Sequence, residues 1–209
     1  MKSLILALSL LILGTSYVVA NDVEDFAFET KMSKVVMQTA DSTVSIIGIS
    51  DGGMDRCSGT LYKNDPDNTI VLTAKHCISS VEEMYVENVL VKDTEVSRDD
   101  DIAYLVLVSP IPDKKPIKLA TKDASIKDIV FIIGYPNGDP YIRLGNVNLQ
   151  TSDWQYMRMM VIPGCSGGGV FNENGELVGV LWGGFKSEAT AIFEPLSDVK
   201  RFLKDKKVL

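Results

Sequence analysis

An all-β fold is predicted by three features of the sequence. Its apolar residues fall in short runs rich in Val and Ile, as strands do and long amphipathic helices do not. Asn137-Gly138 and Asn174-Gly175 suit the two positive φ angles of a tight hairpin turn. No internal repeat or low-complexity tract interrupts the pattern.

In chain order the predicted strands are 44–49, 58–62, 69–73, 102–108, 129–134, 157–162 and 177–182, each bounded by turn residues. Three of the eight prolines stand between 110 and 116. None of them can donate to a sheet ladder, so 110–116 is the expected linker. It separates a lobe at 21–109 from a lobe at 117–209. One helix is expected at the end, with Ser197 as N-cap. Val199, Phe202 and Leu203 would form its apolar face against the second lobe, with lysines towards its C-terminus.

Residues 1–20 carry a single charge, Lys2, then an apolar run and Val18-Val19-Ala20. This is the pattern of a secretory signal peptide, and the run is too short to cross a bilayer. The mature chain is expected to start at Asn21 and to work outside the cytoplasm, secreted or periplasmic. Loss of Lys2 leaves 20 basic and 28 acidic side chains, which speaks against nucleic acid as a partner. No membrane association is expected after signal removal, and a monomer is expected. Three cysteines permit one internal disulfide. Cys57 and Cys77 are the natural pair, because a bridge between them would tie the turn after His76 to a neighbouring strand. Closing a loop of that size contributes about 3 kcal/mol in the chain-entropy account. Two buried thiols are the alternative. One histidine and no cysteine cluster leave no zinc-ligand spacing, so neither metal nor cofactor is expected.

Three segments carry chemistry. His76, the sole histidine, lies in Val71-Leu72-Thr73-Ala74-Lys75-His76-Cys77; Asp101-Ile102-Ala103 follows; Ser166 lies in Pro163-Gly164-Cys165-Ser166-Gly167-Gly168-Gly169. Each has a plainer reading. His76 also reads as structural, 99–101 as a solvated acidic turn, and Ser166 as an ordinary residue of a glycine-rich turn. Their order and surroundings favour chemistry: a serine needs a base to take its proton, and this chain offers one histidine.

Together these motifs resemble the chymotrypsin-like serine proteases. Gly134-Tyr135-Pro136, Val170-Phe171-Asn172 and the stretch 177–184 look most like the bacterial glutamyl-endopeptidase and HtrA branch. The resemblance implies two packed antiparallel six-stranded β-barrels with a C-terminal α-helix. It implies a serine endopeptidase acting on protein or peptide substrates, with Ser166 as nucleophile, His76 as general base and Asp101 as its orienting partner. The N–H groups of Gly164 and Ser166 would form the oxyanion hole. A vestigial protease fold that only binds a partner is the rival reading.

The sequence departs from the family in several places. Cys165 stands where zymogen-activated trypsins hold an aspartate, so no N-terminal activation switch is expected. It is either a small side chain tucked under the loop or an oxidisable thiol. A cysteine nucleophile fails on frame, because Ser166, not Cys165, directly precedes Gly-Gly. The resemblance places Met160 at the base of the specificity pocket, with Leu181, Trp182 and Gly183 in one wall, although Met160 also reads as core. Leu181 replaces the histidine of the glutamyl endopeptidases, so an apolar or small substrate side chain is expected. With 25 residues from His76 to Asp101 and 65 from Asp101 to Ser166, the surface loops are trimmed. With no segment for a PDZ domain after Leu209, the HtrA domain arrangement is not expected.

Overall fold

The computed structural model describes residues 27–79 and 81–209. The proposed signal peptide lies outside them. The chain divides after Met37, and residues 38–209 form one compact unit, the second. Residues 27–40 are helical (α1).

Among the described residues, all strands belong to the second unit and form two closed antiparallel barrels of six strands each. The first comprises β1 (Thr43–Ser50), β2 (Gly53–Asp65), β3 (Asn68–Ala74), β4 (Glu83–Val86), β5 (Val89–Val96) and β6 (Ile102–Leu107), in the spatial order β1-β2-β3-β6-β5-β4. The second comprises β7 (Ile129–Gly134), β8 (Tyr141–Gln150), β9 (Gln155–Arg158), β10 (Gly169–Asn172), β11 (Leu177–Phe185) and β12 (Thr190–Pro195), ordered β10-β11-β12-β9-β8-β7. Closure leaves neither sheet a free edge. Val44, Ile46, Leu61, Val71 and Leu105 fill the first barrel; Val130, Ile132, Val147, Val170, Leu181 and Phe193 fill the second. On β3, Ile70 through Ala74 are buried on both faces, because the strand lines the first barrel inwardly and packs towards β11 outwardly.

Five strands, β4, β5, β8, β10 and β12, lie outside the runs predicted from the sequence. At Asn137-Gly138 and Asn174-Gly175 only the glycines have positive φ, and three further details differ. The strand expected at 157–162 stops at Arg158, the last residue paired with β12. Beyond it Met159 and Val161 are buried and Met160 is exposed, so the alternation is real but has no partner strand. The β4–β5 hairpin turns on Glu87 and Asn88, with φ of 47° and 67°, a left-handed pair without the glycine that usually announces it. Helix α2 (Leu196–Asp205) does bury Val199, Phe202 and Leu203, but its N-cap position is Pro195, not Ser197. Ser197 is in the first turn, and its N–H donates to Asp123 Oδ1 at 2.7 Å. The cap comes from a distant acid in the chain before β7. Besides β11 and β12, α2 reaches the first barrel, where Phe202 meets Tyr104 with ring centroids 5.6 Å apart.

Residues 108–128, between β6 and β7, contain no strand. Asn64 of β2 clamps their start: its Nδ2 donates to Ile111 O (2.9 Å) and Lys114 O (3.1 Å), and its Oδ1 accepts Ile111 N–H (2.9 Å).

Candidate active site

The site lies between the barrels. A 3₁₀ turn (Lys75–Ile78) follows β3 and carries His76, and a disulfide between Cys57 and Cys77 ties that turn to β2. The two-thiol alternative is thereby excluded, and both sulfurs beside His76 are spent. Asp101, at the start of β6, holds His76 by two bonds: Oδ1 accepts the His76 backbone N–H at 2.9 Å, and Oδ2 lies 2.6 Å from Nδ1. Its own carbonyl accepts Lys75 N–H at 3.1 Å. The neighbouring acid, Asp100, is occupied elsewhere, by Ser97 Oγ and by Arg201 Nη2.

Ser166 is presented by a loop whose shape the sequence dictates. Ile162-Pro163-Gly164-Cys165 is a turn closed by Cys165 N–H to Ile162 O at 3.2 Å. Proline fixes φ at its second position, and Gly164, at φ 91°, takes the third, which excludes most side chains. The loop is then fastened to both barrels. Ser58 of β2 donates its hydroxyl to Gly164 O and accepts Tyr135 N–H, both at 2.8 Å, while its N–H donates to Ser166 O at 2.9 Å. Gly167 N–H donates to Leu181 O and Leu181 N–H to Gly168 O, both at 2.8 Å.

Ser166 Oγ donates to Trp182 O at 3.0 Å. Among the described residues no hydrogen bond joins it to His76, yet both line one cleft of about 510 Å³ with Val161, Ile162, Pro163, Trp182, Gly183 and Gly184. Apo sites often tighten only around substrate. Among the described residues, no acceptor is paired with the N–H of Gly164 or of Ser166, so both donors are free for an oxyanion.

Of the expected pocket residues, Trp182 and Gly183 line the cleft, and Met160 and Leu181 do not. Met160 is half exposed, with its carbonyl accepting Tyr141 O–H at 3.2 Å. Leu181 is wholly buried in the second barrel and serves through its backbone. Val161 takes the place expected of Met160, since burial alternates along 159–161 and only the odd positions turn inward. Trp154, from the β8–β9 turn, stands edge-on to Trp182, and Trp182 to His76. Cys165 is buried and burial pushes its thiol up. It is the small residue under the loop, since the thiolate that oxidation needs is disfavoured.

One polar residue escaped the sequence reading. Glu194 of β12 is 2% exposed, and its Oε1 accepts the Asp101 N–H at 2.7 Å. Its carboxyl group, with those of Asp100 and Asp198, forms a tight cluster. Arg201 supplies the positive charge there, bonding Asp198 at 2.6 Å and Asp100 at 2.7 Å. Burial pushes the Glu194 carboxyl up to about 7; the Asp101 N–H works against this, and the charges of Asp100, Asp198 and Asp101 add to it. The folded protein therefore keeps a proton that an unfolded chain releases near 4.5. Stability from this group is complete below about 4.5 and is lost as pH rises through about 7, some ~3 kcal/mol in all. Glu194→Gln, which cannot ionise, is expected to gain on the wild type by roughly that amount between about pH 5 and about pH 8, as read by urea unfolding at each pH.

The trypsin-like peptidase domain family matches residues 57–180, which include His76, Asp101 and Ser166. Among solved structures, the serine endoprotease of Yersinia pestis is similar at 21% identity and TM-score 0.71, over 85% of this chain and 66% of that one. The active form of the Rv3671c protease of M. tuberculosis is similar at 23% identity and TM-score 0.69, over 81% and 82%. No curated protein matches by sequence. With more than half its length matched, and with both barrels and the loop between them in place, the chain belongs to the trypsin-like peptidase domain family, the serine proteases of the trypsin fold.

Proposed function

We propose that the protein is a secreted serine endopeptidase that cleaves peptide bonds through Ser166, His76 and Asp101 by way of an acyl-enzyme. The observation that carries this reading is the two-point hold of Asp101 on His76, at 2.9 and 2.6 Å, in a cleft shared with Ser166. Asp101 fixes the ring with its proton on Nδ1, leaving Nε2 as the base. The Ser166 hydroxyl turns from Trp182 O towards Nε2, loses its proton there and attacks the carbonyl carbon. The oxyanion is met by the N–H groups of Gly164 and Ser166. His76 then protonates the leaving amine, and water repeats the sequence to free the acid.

The substrate side chain before the cut bond is apolar or small. Val161, Ile162, Pro163 and Trp182 line the cleft, and none of its lining residues except His76 carries a titratable group. A carboxylate entering it would lose water without gaining a cation. Secretion rests on the apolar, charge-poor run within residues 1–20.

The test is labelling of the purified protein by a fluorophosphonate, read by intact mass. One adduct is expected on the wild type and none on Ser166→Ala or His76→Ala, with the native mass beginning at Asn21. A folded wild type that takes no label, under conditions that label trypsin, would put the binding-module reading first.

A further inference from the structure

Asp101 must be held as firmly as it holds His76. Its carboxylate has its two oxygens committed to the histidine, so its own orientation depends on the backbone at 101. That backbone N–H, at the junction of an irregular acidic turn and β6, donates to no strand partner. Its acceptor is the side chain of Glu194, 2.7 Å away and brought across from the second barrel. We propose that Glu194 is a positioning residue for hydrolysis: its carboxyl group anchors the Asp101 backbone, and its charge is felt by the Asp101–His76 pair. This inference rests on the protease reading above.

The surroundings make the charge consequential. Glu194 is faced by the carboxylates of Asp100 and Asp101 from the first barrel and of Asp198 from α2, and Arg201 is the cation opposed to them. Its proton leaves in the neutral range because of burial. The negative charge that then arises strengthens its bond to Asp101 N–H. It also adds to the field that stabilises a positive imidazole during attack. The anchor persists in both protonation states, since a neutral carboxyl group still offers a carbonyl oxygen. What changes is the charge and, with it, the strength of the bond.

Two variants separate the anchor from the charge. Glu194→Gln keeps an acceptor and cannot ionise; Glu194→Ala removes both. Because His76 is the only histidine, its ring N–H gives a single downfield proton resonance that reports the bond to Asp101 whether or not the protein cuts peptides. In the wild type this resonance is expected to carry, beyond the change that accompanies protonation of the ring itself, a second step near pH 7 that is missing from Glu194→Gln. Glu194→Ala is expected to lower kcat by about 10- to 100-fold with little change in KM, and Glu194→Gln to recover most of that loss while its kcat/KM profile has one ionisation fewer. Identical pH responses of the resonance in wild type and Glu194→Gln, or full kcat in Glu194→Ala, would overturn the proposal. A folded protein that cuts nothing and takes no fluorophosphonate, but whose ring proton responds to Glu194→Gln, would sink the protease reading alone.

Discussion

Asp101→Asn is expected to lower kcat by about four orders of magnitude while leaving the fold intact. The reason lies in which atom of the new amide faces the ring. The His76 backbone N–H points at the position of Oδ1, and only the amide oxygen of asparagine can accept it. The amide nitrogen is then forced to the position of Oδ2, 2.6 Å from His76 Nδ1. Two donors cannot face each other, so the ring proton moves to Nε2. A histidine protonated there cannot take the proton of Ser166. Steady-state hydrolysis of a peptide with an apolar residue before the cut bond, together with a thermal melt, measures both parts of the prediction. Activity within tenfold of the wild type would remove Asp101 from the mechanism.

Gly167→Ala is expected to cost stability rather than chemistry alone. Gly167 has φ of 80°, and a Cβ placed there would lie 2.1 Å from Thr73 Oγ1, 2.4 Å from Ser58 O and 2.8 Å from Ala74 N. Two of these three atoms are backbone, held in β2 and β3, and cannot give way. Left-handed strain costs about 1–2 kcal/mol and overpacking about 1–3 kcal/mol. The melting temperature should fall by roughly 10 °C or more at about 2–4 °C per kcal/mol. Gly138→Ala is the control. Its φ is similarly positive, at 91°, but the nearest atom to its Cβ is Arg56 Nη1 at 3.8 Å, so only the backbone strain of about 1–2 kcal/mol applies. Equal melting shifts in the two variants would mean that the barrels do not pack closely at Gly167.

Much of this was legible because it is written in local pattern. Strands such as β3 and β7 have apolar cores of three to five residues, and the three segments flank strands: His76 follows β3, Asp101 precedes β6 and Ser166 lies shortly before β10. What escaped was non-local. The turn at Glu87-Asn88 carries no glycine, and β5 and β8 are mostly exposed, so neither strand shows a clean alternation. Ser197 looked like a cap because it precedes the apolar face of α2, but the acceptor came from Asp123. The family resemblance placed Met160 at the pocket base, whereas the path of the chain beyond Arg158 turns Val161 inward. Glu194 lies in an apolar strand, and its partner is the N–H of a residue 93 positions earlier. No spacing rule announces such a pair.

The bonds of Ser58 bear on when the protein becomes dangerous to its surroundings. A strand of the first barrel supplies, through one N–H and one hydroxyl, the fastening of the loop that carries Ser166 in the second. A chain with only one barrel formed has either His76 without Ser166, or Ser166 on a loop that keeps its bonds to Leu181 but lacks those of Ser58. On the reading proposed above, cutting therefore requires both halves closed on each other, and a molecule with one barrel open is expected to leave its neighbours and itself uncut.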